Sequence, residues 1–170
     1  LGSDGSGYRM AKSFGHSIIK PLPALVQLKS NAKYLKTISG VRTDATVTLL
    51  IDSKKATSEK GEILFANYGV SGIPVMQVSR FAAVALDQKR KVELSIDFVA
   101  DIPFQALVEQ ISQRLSFNEA RTAEELLIGL LNHKLTYVLL KEVGIDPEMK
   151  ASKISKDMWK KLANKMKNFV

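Results

Sequence analysis

Glycines at positions 2, 5 and 7, interleaved with Ser3, Asp4 and Ser6, lead into the amphipathic stretch Tyr8–Phe14, which closes at Gly15-His16. A glycine-rich turn feeding a helix suits a phosphate or flavin site, because the free N–H groups of the first helical turn face an anion. The strand that normally aims such a turn is missing ahead of it. The glycines are therefore either added by cloning or part of a larger protein whose other segment holds the ligand. A second candidate is Asn67-Tyr68-Gly69-Val70-Ser71-Gly72. Its two glycines allow close approach of backbone to a ligand. Ser71 and the N–H groups behind it can donate at a helix start, and Tyr68 offers an aromatic face or a phenol. The bland alternative for Gly69 and Gly72 is a tight connection between strand and helix.

Other chemistries fare worse. Ile73-Pro74 after Ser71 leaves the Gly-x-Ser-x-Gly elbow of a serine hydrolase incomplete. The chain has no cysteine, which removes thiolate catalysis and thiolate metal ligands and fits a reducing cytosol. His16 and His133 are far apart, so a histidine-based metal centre is not expected. No apolar run approaches the roughly 20 residues that cross a bilayer, and no membrane partner is expected. The net charge of +8 invites a polyanion, with Lys153, Lys156, Lys160, Lys161, Lys165 and Lys167 as its main concentration. No aromatic residues alternate with these lysines to stack bases, so a solvated helix face is preferred and nucleic acid is disfavoured.

Two regimes of patterning must position these groups. From Pro21 to about Asp97 the signals are those of strands: Leu25–Leu28, Thr46–Ile51, Ile63–Phe65 and Val92–Ile96, with Asp52–Lys55 as a polar turn. One helix interrupts them, over Val75–Val84 with Pro74 in its first turn. From Asp101 the period becomes helical. Phe104, Leu107, Val108, Ile111 and Leu115 share a face, with Asp101 as cap and Pro103 in the first turn. Thr122 and Glu125 have capping-box spacing and start a helix expected to present Leu126, Leu127, Leu130 and Leu131. Leu135, Val138 and Leu139 continue helically to Gly144, a C′ residue, and His133 is expected in a surface turn. Ser155 caps the last helix, Ile154 and Trp159 have hydrophobic-staple spacing, and Met158, Leu162 and Met166 form its inner stripe. The expected fold is α+β, a small β-barrel-like subdomain followed by a helical bundle.

Three stretches read together resemble one family. Gly2–Ala11 with Gly15-His16 and Pro21–Val26 is similar to the segment leaving the FAD-binding domain in BaiN/YhiN-type NAD(P)/FAD-dependent oxidoreductases, bacterial flavoproteins with aminoacetone-oxidase-like members. Gly61–Phe65, Tyr68–Pro74 and Gln77–Ser79 resemble the most distinctive part of that family's inserted domain, and Asp97-Phe98 with the following helices matches in order and spacing. Ser6, Asn67 and Ala100 depart from the family pattern, which commonly has an acid, a histidine and a proline there. The resemblance implies residues 1–20 as a remnant of the FAD-binding domain, 21–100 as a β-barrel-like subdomain and 101–170 as a helical subdomain. It implies FAD in the intact protein, with NAD(P)H as a redox partner, the flanking FAD-binding domain of the same polypeptide as partner, a small-molecule substrate and a cytoplasmic location. The dinucleotide fingerprint lies outside these residues, so the isolated chain is expected to be inactive and not to bind FAD. Backbone groups of Gly5 and Gly7 are the candidate cofactor contacts, and Tyr68, Gly69, Ser71 and Gly72 the candidate lining of the substrate pocket. A stand-alone basic module binding RNA or another polyanion is the alternative; an interaction domain with no site is a third.

Overall fold

A computed structural model describes residues 2–117 and 120–170. The molecule is α+β, and its first half is an antiparallel sheet of five strands curved into a half-barrel, in the order β1-β4-β3-β2-β5. The strands are β1 (Leu28–Lys29), β2 (Arg42–Ile51), β3 (Lys54–Ala66), β4 (Gly69–Ser71) and β5 (Val92–Asp97). Alternation along β2 sets its faces. Ala45, Val47 and Leu49 are buried, whereas Thr48 turns to the other face and meets Ser58 across the strand pair, Oγ to Oγ, at 3.0 Å. The β2–β3 hairpin is closed by Asp52 and Ser53, both with positive φ (50° and 64°). A two-residue turn of that hand matches the twist of the strands it joins. The Asp52 carboxylate accepts from Arg90 Nε (2.8 Å) and from the Lys91 N–H (3.1 Å), which ties this turn to the entry of β5.

Among the described residues seven α-helices accompany the sheet: α1 (Ser6–Ser13), α2 (Leu35–Ile38), α3 (Ile73–Asp87), α4 (Phe104–Phe117), α5 (Ala123–Leu126), α6 (His133–Glu142) and α7 (Lys156–Lys167). α3 packs on β3 and β2 through Val75, Val78, Ala82 and Ala85, all buried. α4 lies against α7, and α6 contacts both α5 and α7, which makes the helical half. One hydrophobic cluster runs through both halves. Its seam is aromatic: Tyr34 meets Phe169 at 4.7 Å between ring centroids, Phe169 meets Phe98 at 5.5 Å, and Phe98 meets Phe65 at 6.2 Å.

Local signals set several boundaries. The Thr122–Glu125 capping box is complete, with each side chain accepting from the other residue's N–H (3.2 and 2.9 Å). Ser155 Oγ accepts from the Met158 N–H, and Trp159 is buried one turn into α7. α6 ends at Glu142, and Gly144 follows with φ 80°.

Elsewhere tertiary contacts override the local pattern. Only Leu28 of the expected strand Leu25–Leu28 pairs, because the Val26 N–H is taken by Ser79 Oγ of α3 at 3.0 Å and Leu25 sits at φ 54°. Asp101 caps no helix; it forms an ion pair with Lys60 of β3, and α4 starts at Phe104. α5 is a single turn, since the chain reverses through Gly129 (φ 82°), so Leu130 and Leu131 do not share its face. His133 lies in the first turn of α6, behind the cap Asn132, rather than in a connecting turn.

The lysines of α7 divide in two. Lys167 is not on a solvated face: it pairs with Asp97 Oδ2 (2.9 Å) and donates to the carbonyls of Val99 (3.1 Å) and Ile102 (2.8 Å). Lys165 reaches Glu142 at 3.8 Å and lies over the Phe169 ring. Lys153, Lys156, Lys160 and Lys161 remain exposed.

Candidate functional site

The stretch Asn67–Gly72 is not a free loop. Asn67 and Tyr68 make the β3–β4 turn, and β4 lies between β3 and β1, with Val70 facing Phe65 on one side and Leu28 on the other. Strand packing accounts for both glycines. A Cβ on Gly69 would lie 2.0 Å from the Leu28 carbonyl oxygen, and one on Gly72 would lie 2.4 Å from the Glu62 carbonyl oxygen. Gly72 also has φ 115°, which a side chain disfavours. Tyr68 is 42% exposed and its phenol donates to Gln27 Oε1 at 2.9 Å, while its carbonyl accepts from the Ser30 N–H at 3.0 Å. Ser71 is half-buried and leads into α3, whose N-cap is Gly72. Tyr68, Gly69, Ser71 and Gly72 thus follow one another along an interior strand, with Gly69 buried, from an exposed phenol to the start of α3. Gln27, the side chain that orients the phenol, carries no signal in the sequence, since nothing there announces a pairing across 41 positions.

Gly5 and Gly7 lie apart from that strand. α1 buries no residue, and no hydrogen bond among the described residues joins it to Tyr68–Gly72. Gly5 adopts φ 77° and Gly7 has open space where a Cβ would stand. Such a turn could admit a phosphate, but it already carries an anion: Asp4 Oδ1 accepts from the Ser6 N–H at 2.9 Å. That backbone bond, with a further one from the Ser6 side chain, holds the Asp4 carboxyl below its ordinary range. A dinucleotide diphosphate would have to displace this carboxylate, so the residues present do not by themselves fit FAD. Among the described residues no group of three His, Cys, Asp or Glu is placed to hold a metal. His133 Nδ1 instead lies 3.0 Å from Glu124 Oε1 on the surface of the helical half.

Two recesses accompany these groups. One, of about 270 Å³, opens between the two edges of the half-barrel and is lined chiefly by apolar residues, among them Leu28, Tyr34, Val70, Val92, Leu94 and Phe169. Burial, and then the charge of Glu142, push the Tyr34 phenol up from its ordinary pKa. The other is shallower and polar, about 360 Å³, between Arg42–Asp44 and the Gly129–Asn132 turn.

Further cations lie close to one another in the helical half. A backbone bridge sets Thr122 beside Lys150, and Arg121 O accepts from the Ala151 N–H at 2.8 Å. Arg121 and Lys150 lie at this junction, and among the described residues neither they nor Lys153, Lys156 and Lys160 have an ion-pair partner.

Comparison with known proteins identifies the domain. The chain is 35% identical over 162 residues to a 3-dehydro-bile acid delta(4,6)-reductase of Clostridium scindens, covering 95% of the chain and 40% of that protein. It is 28% identical over 166 residues to a ribosomal RNA dihydrouridine synthase of Haemophilus influenzae, covering 96% of the chain and 38% of that protein. It therefore spans about two fifths of the length of these relatives. Residues 22–170 match the family model described as the HI0933-like protein barrel and H2TH domain. That description fits the half-barrel and helical halves seen here and agrees with the family that the sequence motifs resemble, so the chain belongs to the HI0933-like family and carries its barrel and H2TH domain.

Proposed function

We propose that this chain is the inserted domain of a flavoprotein oxidoreductase, lying over a flavin held by a flanking FAD-binding domain of the same polypeptide and shaping the substrate pocket. One observation carries the reading: almost the whole chain aligns with a reductase, yet it accounts for only 40% of that protein. One relative is named a reductase of a 3-dehydro-bile acid, and the substrate class proposed here is likewise a small molecule that accepts hydride. FAD, reduced by a nicotinamide donor, would supply the hydride from outside these residues. The share of the work left to this chain is exclusion of water and orientation of the substrate. Tyr68 is the side chain best placed for the second task, because its phenol is exposed and held by a single partner, Gln27. A cysteine-free chain is suited to a reducing cytosol, where we place the enzyme.

Two measurements test this. In the full-length protein, Tyr68→Phe or Ser71→Ala should lower turnover or change flavin reoxidation, with stability kept within about 1 kcal/mol. Unchanged turnover and flavin spectra in both variants would make this segment purely structural. The isolated chain should not bind FAD on titration by flavin fluorescence; stoichiometric micromolar binding would mean that the cofactor site had been misplaced.

The cations of the helical half favour a second reading, in which the domain holds a polyanion such as RNA, the substrate class named for the Haemophilus relative. Five cations with no ion-pair partner among the described residues are compatible with it, yet charge alone makes binding weak and salt-sensitive. We expect RNA binding by the chain to vanish near physiological salt. Sub-micromolar affinity at that salt, lost on changing Lys156 and Lys160 to glutamate, would reverse the order of the two readings.

A further inference from the structure

The half-barrel has an open seam between β5 and β1, and the backbone of β5 shows what should close it. In an antiparallel strand, successive residues turn their N–H and C=O groups to opposite neighbours. Lys91 faces β2, since its carbonyl accepts from the Asp52 N–H at 2.9 Å. Ile96 faces the seam, where it exchanges both bonds with Phe169: its N–H donates to Phe169 O at 2.9 Å, and the Phe169 N–H donates back at 3.0 Å. The Phe98 N–H, two residues on, donates to Met166 O at 3.0 Å. Met166 is still within α7, so the Phe169–Ile96 bridge is the one antiparallel pairing that the residues after α7 already make along the free edge of β5.

By the same alternation Val92 and Leu94 point their N–H and C=O groups into the seam, where no strand of the sheet pairs with them. Among the described residues β1, the opposite margin, pairs only with β4. The recess between the two margins is apolar, floored by Phe169 and lined by Leu28, Val92 and Leu94. An unpaired edge beside an apolar trough is a template for one more strand.

We propose that the seam is filled by an extended strand of the same polypeptide, continuing from Phe169 and Val170 antiparallel to β5, so that the half-barrel closes toward β1. The register is set by the Phe169–Ile96 pair. The second residue after Phe169 would face Leu94 and the fourth would face Val92. Both would turn their side chains inward with Phe169 and should be apolar, while the residues between them turn to the opposite face. Two further observations support this occupant. The matched family domain is described as a barrel, which the five described strands with an open seam do not complete, and the chain covers only 40% of the first relative, so polypeptide outside these residues exists in that protein. The proposal rests on the reading above only in requiring polypeptide on the C-terminal side of Val170. It also makes the 270 Å³ recess a strand site rather than a ligand pocket.

Hydrogen exchange on the full-length protein, resolved by residue, is the test. The amides of Val92 and Leu94 should be protected to within about tenfold of Ile96, whose N–H is already bonded across the seam. A second protein, with the residues following Val170 replaced by a Gly/Ser linker of equal length, should lose that protection by about a hundredfold or more at Val92 and Leu94. Glu93 and Ser95, which face β2, should keep theirs. Fast exchange at Val92 and Leu94 in the unaltered protein refutes the strand. So does protection that survives the linker replacement, or that depends on protein concentration, since the seam would then be covered by another domain or a second copy. Flavin absorbance of the same sample separates the two proposals: a flavin-free protein with a protected seam sinks the flavoprotein reading alone, and a flavin-loaded one with an open seam sinks only the strand.

Discussion

Replacing Gly69 by alanine tests whether strand packing, rather than contact with a ligand, demands the glycine. The added Cβ would stand 2.0 Å from the Leu28 carbonyl oxygen, 2.8 Å from Lys29 Cα and 2.9 Å from the Leu28 carbonyl carbon. All three are backbone atoms, so no side chain can rotate away, and β1 would have to retreat by about 1 Å or more to restore van der Waals contact. β1 pairs with β4 through only two residue pairs, Leu28–Val70 and Lys29–Gly69, and a shift of that size disrupts both. Overpacking plus the lost pairing should cost about 3 kcal/mol. For a chain of this size that corresponds to a fall of roughly 6–12 °C in Tm. Trp159 is the only tryptophan and is buried, so its fluorescence in a guanidinium titration reports the change. Gly7→Ala is the control: its Cβ meets nothing within 4 Å, and alanine in the helix should leave stability unchanged or raise it by about 0.5 kcal/mol. A Gly69→Ala variant within about 0.5 kcal/mol of the parent would refute the packing argument and return Gly69 to the ligand-binding candidates.

Lys167→Ala should destabilise by about 2–3 kcal/mol in the same titration, because it strands the mostly buried Asp97 carboxylate and frees the Val99 and Ile102 carbonyls; a loss below about 0.5 kcal/mol would show the clamp to be ornamental. Thr122→Ala removes one half of the capping box and should cost about 1 kcal/mol, read as a shift in denaturation midpoint at constant slope. The Asp52 carboxyl lies below its ordinary 3.8, chiefly because Arg90 donates to it. Since its folded pKa is depressed, its contribution is present above the unfolded pKa and is lost as pH falls through the folded value. Arg90→Leu should therefore raise the Asp52 pKa toward the ordinary one in an NMR titration, and an unmoved titration would contradict the pairing.

What the sequence determined by itself is local. Alternation in Thr46–Ile51 named a strand and its buried face, and Thr122, Glu125 and Ser155 marked helix starts through donors within three residues of the cap. The period changes from strand-like to helical near 97–102; β5 ends at Asp97 and α4 begins at Phe104. The motifs around Gly61–Ser79 pointed to the family that the domain match bears out. What only the tertiary structure decided depends on partners far away in the chain. Val70 became a strand residue because Leu28 and Phe65 flank it, and Gly69 and Gly72 proved to be points of close backbone contact, Gly72 with a positive φ as well. Leu25 and Val26 left the sheet because Ser79 took an amide, and Lys167 left the solvent because Asp97 and two carbonyls converge on it. The seam of the barrel belongs to this second class. Whether an edge amide is paired depends on which strand folds beside it, and neither propensity nor periodicity within a segment carries that information.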